Sequence, residues 1–591
     1  MHRFIAVIRS SVSATIEGFA CSVARDEESW SCVHNSEQAT VWVAQREPSR
    51  LGSYPLGLDG HSGVLIGRTL AKNSSLIGIA ENSGKAAPNL WGAYVSLRID
   101  QTSGDVTVYR EPSGRVPCWY IRLDDAIIVF SHLRDLVEIF SPILSVNWEY
   151  ISLHLCNRWS PGRQTGYREI QEVLPGEELR IRQGMTHTSS CWNPLEFQKD
   201  TFETAAIAKE ELQTATEQAV AAWSGIYQNV LLDLSGGLDS SLLLGLMRRH
   251  APSTDIIGVN YTIDHGESDE RDFARIAAKF NSIELVERNL DASNLGSPAD
   301  HTKRLVRPTQ RTIPLGYDYV GEELTKRYGT QAFFTGTGGD HVFYDHITYD
   351  AAIDHYRSNG IIGLLSATHK LAQVSRATIW SGLGAVARWQ LGADSIEREL
   401  FPVNPFAPQA SIDRSVDSEF IHPWIREARR VRVTPARFRQ VCNLIEVQTH
   451  YWRFGRAESS EEVHPFLSQP IMEASLRTRP DWFCEGGIQR GLIRSAFHDV
   501  LPKEIRERRT KSSNSSHWLR VMEGLLPYLR EILLEGVLAR AGMLDRPALE
   551  RILTPMGLLE GKNLSELAIT FTVEHWLQET ETSGLNHRSA A

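Results

Sequence analysis

The stretch LLDLSGGLDSSLLLGL (231–246) constrains this chain more than any other. An apolar run of strand type ends at Leu234 and an apolar run of helical type begins after Asp239, with Ser235-Gly236-Gly237 between them. Two glycines let the backbone turn tightly and come close to a ligand. The helix that follows presents unsatisfied N–H groups and the positive end of its dipole, which together favour a phosphate. The hydroxyls of Ser235, Ser240 and Ser241 add donors. The spacing is too short for a Walker loop, and the Lys-Ser/Thr pair and the G-x-G-x-x-G pattern are both missing. A lone S-G-G is more often an ordinary turn whose Asp and Ser cap a helix. Placed directly after an apolar strand, S-G-G-x-D-S reads as an anion loop.

Around this loop, strands alternate with helices. A capped helix over 201–223 precedes the strand NVLLDL (229–234). The strand DIIGVNYTI (255–263), the helix ERDFARIAAKF (270–280), the strand SIELVER (282–288) and the strand-to-glycine turn QAFFTGTGGD (331–340) follow. This alternation predicts a doubly wound parallel sheet. Residues 350–580 are mostly helical in pattern and rich in Trp and Arg, and the tail is expected to fray from Thr580. The first ~190 residues differ, judged by strand length and spacing. They hold short β-rich stretches at 39–45, 91–99, 105–110, 118–123 and 126–131, and MHRFIAVIRS is a first strand rather than a signal peptide. Turn-formers separate them at Asp59-Gly60, Ser103-Gly104, Pro112-Ser113-Gly114 and Pro175-Gly176, and a helix begins near Leu133.

With 62 basic and 72 acidic residues, the formal net charge is −10, which argues against a nucleic-acid binder. The seven scattered cysteines contain no C-x-x-C pair, so reduced thiols in a cytoplasmic protein are the expectation. No apolar run reaches the ~18 residues of a membrane span.

A second glycine turn, TGTGGDH (335–341), places Asp340 at another strand end, where open α/β sheets bind ligands. Asp239 and Asp340 are thus candidates to share Mg²⁺, a cation that takes hard oxygen ligands and binds substrate phosphates as well. By itself a G-G-D turn is usually only a turn. The basic run RGLIRSAFHDVLPKEIRERRTK (490–511) reads in part as a solvated face at Arg506, Arg508 and Arg509. Lys511 borders a Ser/Asn stretch of lid type and is a candidate to stabilise developing phosphate charge.

These segments resemble the asparagine synthetase B superfamily over nearly the whole chain. SGGLDSS (235–241) matches its pyrophosphate loop, shared with the N-type ATP pyrophosphatases, and TGTGGDH matches its S-G-x-G-G-D-E segment. VHPFLSQPIME (463–473) resembles its P-F-L-D segment, and 490–511 its K-x-x-L-R … L-P … R-x-K stretch. The resemblance implies ATP and Mg²⁺ as cofactors. Leu234 and Ile263 would lie by adenine, Ser235, Gly236, Gly237 and Ser240 on pyrophosphate, and Thr335 and Gly336 near the nucleotide. Asp239 and Asp340 would bind metal, Arg490 stands at the first lysine position, and Lys511 stands at the catalytic lysine.

LWGAYVSLRIDQTSGDVTVYREPSGRVPCWYI (90–121) and IQEVLPGE (170–177) resemble the family's glutamine amidotransferase half. The implied architecture is α/β. A sheet-rich, Ntn-hydrolase-like, degenerate glutaminase domain (1–195) would precede a parallel-sheet ATP pyrophosphatase domain with helical elaborations (200–580) and a flexible tail (581–591).

Active amidotransferases of this type use an N-terminal cysteine as nucleophile. Here Met1 is followed by His2, and Cys21 is the first cysteine, so no glutaminase nucleophile is expected. His341 replaces the usual glutamate, and the matched segments do not place the tyrosine that β-lactam synthetases carry in their catalytic pair. The closest resemblance is therefore to lasso peptide macrocyclases. These adenylate an Asp or Glu side chain of a leader-processed peptide and close a macrolactam with its N-terminal amine. A leader-binding protein and a leader protease would be partners. The competing readings are a small-molecule amide synthetase, ammonia-dependent or β-lactam-forming, and a non-catalytic scaffold.

Overall fold

A computed structural model describes residues 3–9, 30–44, 53–55, 61–71, 90–156, 162–262, 270–290, 305–309, 317–345, 349–375, 378–390, 404–408, 420–452, 460–509, 519, 522–560 and 562–582. Its N-terminal half contains β1 (Phe4–Arg9), β2 (Trp30–Asn35), β3 (Ala39–Ala44), β4 (Ser53–Pro55), β5 (His61–Ala71) and β6 (Leu90–Asp100). It continues with β7 (Val106–Arg110), β8 (Trp119–Leu123), β9 (Ala126–Phe130), β10 (Ile170–Glu172), β11 (Glu177–Arg182) and β12 (Met185–Ser190). The five β-rich stretches read from sequence are β3, β6, β7, β8 and β9. The turn at Asp59-Gly60 lies outside the described residues.

These strands form two antiparallel six-stranded sheets, ordered β10-β8-β9-β1-β3-β2 and β12-β11-β7-β6-β5-β4. Side chains alternate across a strand, and β1 shows the result. Phe4, Ala6 and Ile8 enter the core shared with Val64, Val95 and Leu97 of the other sheet. Ile5 and Val7 face the opposite way, toward the helices Leu133–Phe140 and Trp148–Cys156. The C-terminal helix Leu564–Thr582 completes that outer layer through Ile569, Val573, Trp576 and Leu577. A tail frayed from Thr580 is thereby corrected. The helix runs to Thr582 because Thr580 is buried, donates to the Trp576 carbonyl and pairs with the Tyr167 hydroxyl.

The C-terminal half is built on β13 (Asn229–Asp233), β14 (Asp255–Thr262), β15 (Glu284–Asn289), β16 (Ala332–Phe334) and β17 (Glu461–Val463). All four pairings are parallel, in the order β15-β14-β13-β16-β17. Parallel strands need covering on both faces. Val230, Leu232 and Phe334 pack with the helices Ala205–Ser224 and Leu238–His250, while Leu231, Ile257 and Phe333 pack with Val320 and Leu324 of Tyr317–Tyr328. The helix expected over 201–223 starts where Thr204 accepts a hydrogen bond from the Ile207 amide. Strand β17 is a finding that the sequence did not announce.

The segment after 349 is helical, with Asp350–Ser375 broken at Gly360, whose φ is 64°. Of its aromatic residues, Trp424 and Tyr451 are core, Trp380 is exposed, and Trp389 lies under the Arg357 guanidinium. No helix among the described residues is long and apolar enough to cross a membrane.

Candidate functional site

The strand order places a switch point between β13 and β16, where connections leave in opposite directions and open sheets form a crevice at the carboxyl ends. The loops that follow these two strands are the glycine turns singled out above. After β13, the Leu234 amide still donates to Val259 and its carbonyl accepts from the Asn260 side chain, so the loop leaves a fixed edge. Leu234 itself is buried, its side chain over Gly258. Gly236 turns at φ 78°, and a side chain there would collide with the Phe273–Ala274 backbone. The hydroxyls of Ser235 and Ser240 are 3.2 Å apart, and the Gly237 amide donates to Ser235. Gly237 caps the helix Leu238–His250 without a side-chain acceptor, so its first turn offers N–H groups to an anion.

After β16, the Thr335 hydroxyl bonds His464 Nδ1 at 2.6 Å and accepts from the Thr337 amide. The two loops then touch. A Cβ at Gly336 would crowd the Ser240 amide, and one at Gly339 would collide with the Asp239 carboxylate. Glycine at these positions lets Asp239 lie against the second loop.

Asp239 and Asp340 meet on one nitrogen. Arg490 Nη1 is 2.7 and 2.8 Å from the two Asp239 oxygens and 2.9 Å from Asp340 Oδ1, while its Nε lies 3.3 Å from Asp345. Arg490 is buried, and its backbone is left-handed at φ 52°, a conformation that costs an L-residue about 1–2 kcal/mol. Burial opposes its charge, but Asp239, Asp345 and Asp340 outweigh that effect and hold its pKa above the usual arginine range. Arg494, one helical turn on, donates to the carbonyls of Gln489, Ile505 and Arg506, which ties the Arg490 turn to the segment leading toward 511. Burial, then repulsion from Arg490, lowers its pKa to about 10.

The donor set suits Mg²⁺. Two carboxylates from separate strand ends converge on a single point that already attracts a cation, and Mg²⁺ needs only one or two carboxylates besides phosphate and water. No group of three or more His, Cys, Asp or Glu with metal geometry occurs among the described residues, so any metal here relies on phosphate for further ligands.

Ile263 and Lys511, expected at the site, lie outside the described residues. Three residues at or beside it escaped the sequence reading. Asp345 sits five positions past Asp340, with nothing local to mark it. His464 precedes the Pro-Phe-Leu segment that was noted for other reasons. Arg508, read as a solvated face, instead pairs with Glu270 at 2.6 Å and stacks 4.0 Å over the ring of Phe273, whose backbone abuts Gly236.

A helix start that presents N–H groups and two facing carboxylates at a parallel-sheet switch point are parts suited to a nucleotide-dependent enzyme. Residues 211–578, more than half of the chain, match the asparagine synthase family, and the protein belongs to it. It is an ATP-dependent, AMP-forming carbon–nitrogen ligase that makes amide bonds. No curated protein matches the chain. Among solved structures, an allosteric regulatory enzyme of purine biosynthesis is similar at 11% identity and TM-score 0.20, over 49% of this chain and 74% of that one. Glutamine phosphoribosylpyrophosphate amidotransferase from B. subtilis is similar at 12% identity and TM-score 0.19, over 48% of this chain and 59% of that one. At that level of likeness, the fold rests on the strand order and packing described above.

Proposed function

We propose that this ligase forms a macrolactam. It would adenylate an Asp or Glu side chain of a leader-processed peptide and let the peptide's N-terminal amine displace AMP. The observation that carries the nucleotide chemistry is the meeting of Asp239 and Asp340, from two strand ends, on one guanidinium nitrogen. In the first step a carboxylate oxygen bonds to the α-phosphorus and pyrophosphate leaves. In the second the amine bonds to the acyl carbon, AMP leaves and the amine loses a proton. Ser235, Gly236, Gly237 and Ser240 hold the departing pyrophosphate, Leu234 and Ile263 flank adenine, and Thr335 and Gly336 border the nucleotide. Lys511 stabilises charge on the reacting phosphate. A magnesium ion held by Asp239 and Asp340 would supply neutralisation of phosphate charge.

The peptide reading is supported by the G-G-D-H ending at His341 and by the Trp- and Arg-rich segment after 350. The amine then comes from the acyl substrate itself. Ring closure within a held peptide is a matter of keeping amine and acyl carbon in a near-attack pose.

The test is to supply ATP, Mg²⁺ and either a leader-processed peptide or aspartate with ammonia. AMP, pyrophosphate and a peptide lighter by one water support the proposal. Asparagine formation would replace it with the small-molecule reading, and no nucleotide binding at all with the scaffold reading.

A further inference from the structure

The cation between Asp239 and Asp340 belongs to the chain itself. We propose that Arg490 is an internal counter-ion that yields the carboxylate pair to a divalent metal only when nucleotide phosphate is there to receive its guanidinium, so that metal and nucleotide bind in mutual dependence. This rests on the nucleotide reading above and deepens it.

The geometry sets up a competition. Nη1 lies within 2.9 Å of oxygens from both carboxylates, the groups that would hold Mg²⁺, a cation that demands close oxygen contacts. Both cations cannot hold that point. Asp239, Asp340 and Asp345 all gather around this one guanidinium, and a divalent cation is attracted to the same carboxylates.

The chain also provides a route for exchange. Asp345 engages Nε, on the stem side of the guanidinium, and itself accepts from the Gln489 side chain. That contact can persist while the outer nitrogens turn away from Asp239. The nearest anion site is the first turn of the helix Leu238–His250, the turn that carries Asp239. Phosphate bound there offers a guanidinium the paired acceptors it prefers. Lysine, which the family pattern carries here, could set its one nitrogen between Asp239 and Asp340 but has no second nitrogen for Asp345, which Arg490 reaches through Nε. The arginine at 490 therefore makes a stronger lock than the usual residue.

The experiment measures Mn²⁺ binding to the full chain by electron paramagnetic resonance, with and without an ATP analogue that resists cleavage at the α-phosphorus. In the native protein the analogue should tighten Mn²⁺ about tenfold or more, and Mn²⁺ should tighten the analogue by the same factor. Arg490→Gln should bind Mn²⁺ alone about tenfold more tightly than the native protein and keep only about twofold synergy. Arg490→Lys should fall between the two, and it serves if the glutamine variant does not fold. Variants that bind Mn²⁺ alone no better than the native chain, with synergy unchanged, overturn the counter-ion role and leave the nucleotide reading standing. If the native protein binds no analogue even with Mn²⁺, both fall.

Discussion

Arg110 in the N-terminal sandwich and Arg490 at the switch point are buried almost equally, 2% and 4% exposed, but their partners differ in kind. Arg110 donates to the carbonyls of Val116, Val173 and Gly114 as well as to Glu172, which Arg307 also engages. Main-chain dipoles of a folded turn stay where they are, and they satisfy a guanidinium without any net charge. Arg490 is held by carboxylates on two loops and a neighbouring turn, groups that would equally accept a metal. The same residue type thus fixes the fold in one half and keeps a site chargeable in the other.

The sharpest test of this contrast is catalytic. Asp239→Ala and Lys511→Ala should each lower ATP-dependent pyrophosphate release about 10²–10³-fold or more with the fold intact by circular dichroism. Arg110→Met should leave turnover per folded molecule unchanged. Full activity in both site variants would remove them from the mechanism.

Stability provides the next test. Arg110→Met should cost about 3 kcal/mol in urea unfolding, since it strands buried acceptors, and Mg²⁺ should not restore it. Arg490→Gln should also destabilise the metal-free protein, but here added Mg²⁺ should recover the loss. Equal rescue of both variants would erase the distinction.

A smaller effect is a pH slope. Glu111, beside Arg110, is fully buried. Burial lifts its pKa to about 7 against the pull of the Ser113 hydroxyl and amide and of Arg110. The folded chain therefore keeps a proton that the unfolded chain releases near pH 4.5. This group's contribution makes stability fall as pH rises from about 4.5 to about 7, with a slope of up to about 1.4 kcal/mol per pH unit. Glu111→Gln should remove that component from a pH series of unfolding midpoints. Smallest of all, Arg134→Ala breaks an exposed i,i+4 pair with Glu138 and should cost only about 0.3–0.5 kcal/mol. A larger loss would mean that exposure does not grade these arginines.

What the sequence disclosed follows from how local each feature is. Strands β3 and β6 through β9 were visible because their side chains alternate, or run apolar, between turn-formers. The glycine loops were visible because a turn pressed against a neighbour admits no Cβ, as at Gly236 against the Phe273–Ala274 backbone and at Gly339 against the Asp239 carboxylate. Strand β17 was not, since Glu461-Glu462-Val463 is short and charged. It is a strand because its neighbour β16 pairs with it and because Arg68 and Arg115 reach across from the N-terminal sandwich to Glu461 and the Glu462 carbonyl. Nor could the partners of Arg490 be read, because Asp239 lies 251 positions away and no pattern in the chain records that separation.

The C-terminal helix has a consequence for the order in which the molecule is made. Gly166 has room for no side chain because the Trp576 ring fills the space, and that ring also meets Tyr167 and donates to the Leu305 carbonyl. The outer wall of the first sheet is thus finished by a segment that leaves the ribosome long after the strands it covers. Until it arrives, Ile5, Val7 and their neighbours wait uncovered. Cutting away this helix would therefore unroof strands synthesised well before it.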